Sequence, residues 1–160
     1  MTTHFDVSKL QRWAAIPLRL IVGYGFIAHG YAKVVNGPDH FAAALQGLGV
    51  PAPHLAAWAT IGFELLGGFA VLGGACIPLI SIPLTVILLV AVFTVHLPYG
   101  FSSIKLRAVT AAGPQFGPPG YETNLLYIAA LATLVLGGSG PLALDAPLQK
   151  FRRSGRVRSR

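Results

Sequence analysis

Ile77-Pro78-Leu79-Ile80-Ser81-Ile82-Pro83-Leu84-Thr85-Val86-Ile87-Leu88-Leu89-Val90-Ala91-Val92-Phe93-Thr94-Val95-His96 is a run of twenty residues without an acid, a lysine or an arginine, closed by one histidine. As an α-helix it rises about 30 Å, the thickness of a bilayer's hydrocarbon core, so it reads as a membrane-crossing helix. Its hydroxyls, Ser81, Thr85 and Thr94, can bond back to the helix backbone. Pro78 and Pro83 fall early, where a first turn accepts proline and a membrane helix accepts a kink.

Working outward, Gly73-Gly74-Ala75-Cys76 is a tight turn joining this run to an earlier apolar stretch, Leu55 to Gly74, which carries one charge, Glu64. Two helices joined so closely are antiparallel neighbours. A further stretch, about Trp13 to Val35, is interrupted by Arg19, His29 and Lys33. It is too long and too charged for a signal-peptide core and is read as a retained first helix. Downstream, about Thr123 to Leu144 forms the fourth. Between the first two, Asn36-Gly37-Pro38-Asp39 stops one helix, and Phe41, Leu45 and Leu48 at helical spacing predict a short amphipathic helix at the interface. The segment Leu97 to Glu122, rich in glycine and proline, is a long loop that is either functional or disordered.

The expected fold class is therefore all-α: an integral membrane bundle of four transmembrane helices, with a short interfacial helix between helices 1 and 2. Composition agrees, with 54% hydrophobic residues, 11% charged residues and a mean hydropathy of +0.65 over 160 residues. The chain divides into a cytoplasmic N-terminal segment (1–12), a transmembrane domain (13–145) and a basic cytoplasmic tail (146–160). Six of its twelve Lys and Arg lie in the last eleven positions, so the net charge of +7 points to a lipid surface and not to nucleic acid. Eight Lys and Arg flank the spans on one side and three (Lys33, Lys105, Arg107) on the other. The positive-inside rule then puts both termini in the cytoplasm.

Polar residues at membrane depth carry the functional expectation, because a central Arg, Lys or Asp costs about 2.5–3.5 kcal/mol to insert and needs a partner. Arg19, Gly23, Phe26, Gly30 and Lys33 share one stripe of the first helix, with His29 at its edge. Ala57, Thr60, Glu64, Gly67 and Gly68 form a small-residue face on the second, suited to close packing in lipid. Arg19 and Glu64 are expected to pair. His29, Lys33, His96 and Glu122 all fall in the expected outer half, with Tyr31, Tyr99 and Tyr121 nearby. This suggests a pocket with His96, Glu122 and His29 as catalytic candidates and Lys33, Tyr31 and Tyr99 as ligand-binding candidates. Structural alternatives stand beside each: an ion pair for packing, a lysine snorkelling to headgroups, a carboxylate at a helix N-terminus, an aromatic belt.

At these residues the chain resembles the DoxX family of small bacterial membrane proteins. The resemblance runs from about Leu18 to Leu148: Arg19 and His29-Gly30-Tyr31-Ala32-Lys33, then Leu48-Gly49-Val50-Pro51, then Glu64-Leu65-Leu66-Gly67-Gly68 with Gly73. It continues through His96, Gly100-Phe101, Glu122 and Gly138-Ser139-Gly140 to Asp145. It implies a four-helix bundle in the bacterial cytoplasmic (inner) membrane. Family members are described as oxidoreductases or subunits of quinone-linked oxidoreductases, including the small subunit of a thiosulfate:quinone enzyme. Quinone contact is thereby implied, with Arg19, Lys33, Glu64, His96 and Glu122 as the matching positions.

Two function classes follow. One is a membrane oxidoreductase component in which a histidine, whose ordinary pKa near 6.5 suits proton exchange, serves a bound quinone. The chain carries no GxGxxG fingerprint, CxxC pair, haem motif or iron–sulfur ligand set, so electrons would come from a soluble redox partner. The other is a non-catalytic subunit or small-solute conduit whose buried charges support packing, partner docking or a homo-oligomer. No spacing motif for a metal is present, and the lone Cys76 permits no internal disulfide.

Overall fold

The computed structural model describes residues 11–145, so the expectations for residues 1–10 and for the basic tail, 146–160, lie outside the described residues. The chain is mostly helical. A 3-10 turn at Arg12–Ala14 leads into α1 (Ala15–Val35), followed by α2 (Pro38–Gly47), α3 (Pro53–Gly73), α4 (Ile77–Ala91) and α5 (Glu122–Gly137). Proline opens α2, α3 and α4 within the first turn, where its missing N–H has no intrahelical partner to lose. Among the described residues, two helical segments are long and apolar enough to cross a membrane: Pro53–Gly73, and the continuous run Ile77–Tyr99.

That second run changes character along its length. After Ala91 it becomes a π-helix over Val92–His96 and then a 3-10 turn over Leu97–Tyr99. The wider turn rotates every later residue, His96 included, relative to a continuous α-helical projection.

α1 lies against α3, α3 against α4, α4 against α5, and α5 back against α1, while α2 covers α3. Small residues set the closest of these approaches. A Cβ on Gly23 would stand 2.8 Å from the Gly68 carbonyl oxygen, and one on Gly68 would stand 2.8 Å from that of Gly23. The two backbones therefore touch, which is how helices gain contact in lipid without a hydrophobic driving force. The core they enclose is Val22 and Phe26 of α1, Val71 of α3, Ile77 and Leu84 of α4, and Leu131 and Leu134 of α5. On the outside Leu66, Leu79 and Leu136 are exposed, the last to 88%. Helices apolar on both faces suit lipid and not water.

The chain is mostly helical as expected, and within the long loop the structure adds a short strand pair that the sequence reading did not foresee. Leu106–Thr110 and Gly113–Phe116 pair as an antiparallel β-hairpin with an irregularity between Leu106 and Ala108. Gly113-Pro114 breaks any helix through this segment, and the Thr110 hydroxyl donates to the Gly113 carbonyl at 3.1 Å to close the turn. The glycine-proline loop thus holds a defined element. After α5 the chain turns at Gly138 and Gly140, both at positive φ, and returns to the α3–α4 connection. There the Leu144 amide donates to the Gly73 carbonyl at 3.0 Å, and Asp145 Oδ2 accepts from the Cys76 amide.

Candidate functional site

The Gly23–Gly68 crossing fixes how far α1 and α3 slide past one another, and that register decides which charges meet. It sets Glu64 beside Gly30, since a Cβ at Gly30 would lie 3.1 Å from Glu64 Cβ. Arg19 is eleven residues, about 16 Å, further down α1, beyond the reach of its side chain. The expected Arg19–Glu64 pair is therefore absent. Lys33 takes its place, with its Nζ 2.8 Å from Glu64 Oε1 and 2.6 Å from Oε2. Glu64 is almost fully buried at 6% side-chain exposure and Lys33 largely so at 21%. The ammonium also stands 5.2 Å from the centre of the Phe41 ring of α2. Lys33 is thus turned inward to a carboxylate and is not a snorkelling helix-end lysine.

Arg19 has a different role. Its Nε donates to the Val71 carbonyl (3.3 Å), its Nη2 to those of Leu72 (2.8 Å) and Leu142 (3.4 Å), and its Nη1 to those of Ser139 (3.0 Å) and Pro141 (3.2 Å). Val71 and Leu72 lie in the last turn of α3, beyond which no regular helical donor follows; the Val71 carbonyl also accepts from the Gly74 amide at 3.1 Å, and that of Leu72 depends on Arg19. A fork of five N–H groups suits such a cage, and a point-charged ammonium does not. Arg19 therefore ties α1, the end of α3 and the segment after α5 together. Gly74, which closes α3 at φ 69°, is confined by the same group, because a Cβ there would lie 2.7 Å from Arg19 Cζ.

A cavity of about 320 Å³ lies between α1, α3, α4 and α5. Of the residues singled out in the sequence, His29, Lys33, Glu64 and His96 line it. His96 Nδ1 lies 3.0 Å from the Pro119 carbonyl. A carbonyl only accepts, so that contact puts the hydrogen on Nδ1 and leaves Nε2 of a neutral ring with its lone pair. The pairing also anchors the loop that closes the cavity at Pro119 and Gly120.

Glu122, Tyr31 and Tyr99 are not among the lining residues, which corrects three of the sequence candidates. Glu122 is turned to the loop instead, where its Oε2 accepts from the Ser103 amide at 3.0 Å while its own amide donates to the Phe101 carbonyl at 2.9 Å. It zips the base of the hairpin segment onto the start of α5. Tyr31 is 64% exposed and Tyr99 40%, positions that fit an aromatic belt.

The lining residues that escaped the sequence reading include Asn124, buried in the first turn of α5, and Tyr127 one turn later. A signal was present, since an amide within an apolar span is expensive and needs a reason. Tyr127 packs edge-on to Phe26 with ring centres 5.4 Å apart, and a Cβ on Gly25 would overlap its hydroxyl. Gly25 thus makes room for the tyrosine. Among the described residues no three His, Cys, Asp or Glu side chains gather as a metal site.

Among curated proteins and solved structures nothing matches the chain. A family model, described as DoxX, matches residues 14–97. That span runs from the start of α1 to just past His96, and includes the Arg19 cage donor, the Gly23–Gly68 crossing, the Lys33–Glu64 pair and His96. Bearing more than half its length on that match, the chain is a membrane protein that belongs to the DoxX family.

Proposed function

We propose that the chain is the membrane component of a quinone-linked oxidoreductase system, crossing the bacterial inner membrane four times, with the 320 Å³ cavity as the site for the quinone head. One observation carries this reading: a buried Lys33–Glu64 pair, His29 and His96 border one cavity whose remaining wall is largely apolar and aromatic. Ligand sites combine an apolar lining with a few placed polar groups in this way.

The apolar outer faces of α1 and α5 support two crossings beyond the two evident spans. α5, at 16 residues or about 24 Å, is short for the bilayer, and the chain on either side of it completes the path. With eight Lys and Arg on one side and three on the other, both termini lie in the cytoplasm and the hairpin outside. Reporter tags fused at each terminus are expected to be active only in the cytoplasm, and a periplasmic signal from the C-terminal tag overturns this topology.

Reduction of a quinone consumes two electrons and two protons at its carbonyl oxygens. The electrons come from a redox partner, since the chain has no motif for a redox cofactor. The residues here supply binding and protons. Protonated His96 donates from Nε2 to a carbonyl oxygen and, in giving up that proton, becomes the tautomer whose Nδ1–H is held by the Pro119 carbonyl. Lys33, with two of its three N–H groups on Glu64, keeps one for a ligand oxygen.

His96→Asn tests this reading, because the asparagine amide replaces Nδ1 and retains the tie to Pro119 while Nε2 is lost. Thermal stability in detergent is expected to stay within about 1 kcal/mol of wild type. Affinity for a quinone analogue, followed by titration of the purified protein, is expected to fall by about 1–3 kcal/mol, the loss for one unmatched buried polar group. Failure of the wild type to bind any quinone analogue favours the second reading, a non-catalytic subunit or solute conduit. The Arg19 cage, in which a buried charge serves packing alone, is the observation on that side.

A further inference from the structure

Outside the first cavity lies a second, larger one of about 590 Å³, between α2, α3 and α4. The two share four residues, Lys33, Glu64, Ile87 and Ala91, so the ion pair forms part of both walls. Away from that pair the larger cavity is hydrocarbon except for the hydroxyls of Thr60 and Thr94. Phe41 and Leu45 of α2, Phe63 of α3 and Val86 and Val90 of α4 line it, and Ala44 and Ala59 leave it hollow. The Thr94 hydroxyl donates its hydrogen to the Val90 carbonyl at 2.7 Å. Water in the apolar part of that space would lack partners.

We infer that this second cavity holds the prenyl tail of the quinone whose head occupies the first, with Lys33 and Glu64 at the junction of head and tail. The inference rests on the quinone reading above and adds where the tail goes and how the ligand arrives. Phe63, Val86 and Val90 are each exposed on the outer surface of α3 and α4. The cavity therefore opens sideways to lipid, the phase in which a prenylated quinone dissolves. Pro83, inside α4, lies on the cavity wall and withdraws an amide donor from that helix. The continuity of one polar and one apolar cavity around a shared charged pair matches an amphiphile with a hydrogen-bonding head and a single hydrocarbon chain. A lipid acyl chain has the same tail chemistry, and the experiment separates the two.

The test uses the full chain in lipid nanodiscs and two probes with the same benzoquinone head, one without a tail and one with a decyl tail, with concentrations expressed per lipid. A bilayer is as apolar as the groove, so the tail gains by close packing and not by transfer. The decyl probe is expected to bind about tenfold more tightly than the tailless one. Ala59→Phe on α3 and, separately, Ala44→Phe on α2 fill the larger cavity without touching the smaller one. Each is expected to abolish the tail's advantage and leave tailless binding unchanged. Equal binding of both probes to wild type overturns the tail site while leaving the quinone head site standing. So does a loss in the variants that is the same for both probes. If neither probe binds, the head reading fails and the inference with it. If a fluorescent palmitoyl probe fills the groove and excludes the decyl tail without lowering tailless binding, the groove holds a lipid chain and the inference is overturned.

Discussion

Arg19→Leu is expected to lower the stability of the folded chain by about 4 kcal/mol, measured by thermal or denaturant unfolding in detergent. The leucine fills most of the space but leaves the carbonyls of Leu72 at the end of α3 and of Ser139 after α5 without donors, while that of Val71 keeps the Gly74 amide. Each buried polar group left unmatched costs about 1–3 kcal/mol, and two such groups account for the figure. Arg19→Lys separates charge from geometry. It keeps the positive charge but has three N–H groups on one atom, against five in a planar fork, and is expected to lose about half as much. A lysine variant as stable as wild type would show that charge alone suffices and that the carbonyl cage is not what holds α1, α3 and the segment after α5 together.

Glu64→Gln carries the second large effect, about 3 kcal/mol, the low end of the range for breaking a buried ion pair because Lys33 keeps some exposure. Lys33→Met is expected to cost a similar amount, since it strands the carboxylate. With both changes present no charge remains uncompensated, so the double variant is expected to be no less stable than either single one. Strict additivity of the two would refute the pairing. Combining Arg19→Leu with Glu64→Gln gives the contrasting case. Those sites share no partner and are expected to add, because Arg19 spends every contact on backbone oxygens and Glu64 both its oxygens on Lys33.

These two results would also divide the buried charges by task. Arg19 sits in a cage complete within the chain, at the end of α3 where the chain after α5 returns. Lys33 and Glu64 sit between two cavities, with a spare N–H and an aromatic ring beside them. A charge whose partners are all supplied by the fold stabilises it. A pair bordering open space is available to a ligand.

Much of this was written into the sequence. The charge-free run Ile77–His96 and the apolar stretches around it determined a helical membrane protein, because helix length against bilayer thickness is a local property that one segment shows by itself. The order of His29-Gly30-Tyr31-Ala32-Lys33, Glu64-Leu65-Leu66-Gly67-Gly68 and His96 determined the family. The stripe Arg19, Gly23, Phe26, Gly30 and Lys33 was legible too, and the structure turns it inward, because 3.6-residue periodicity needs no partner to be read.

Register was not legible. Whether Glu64 meets Arg19 or Lys33 depends on how far α3 slides along α1, and that is settled where Gly23 and Gly68 bring two backbones into contact. A shift of one turn, about 5.4 Å, is invisible to periodicity and would exchange every partner. His96 was expected at the pocket and does line the cavity, but the π-turn over Val92–His96 that carries it there is one that regular spacing does not assume. Asn124 and Tyr127 joined the cavity, and Glu122 left it for Ser103, through the packing of α5 and the hairpin loop. Periodicity within a helix is set by its own bonds, whereas contact between helices is set by the shapes of residues far apart in the chain, and only the tertiary structure decides it.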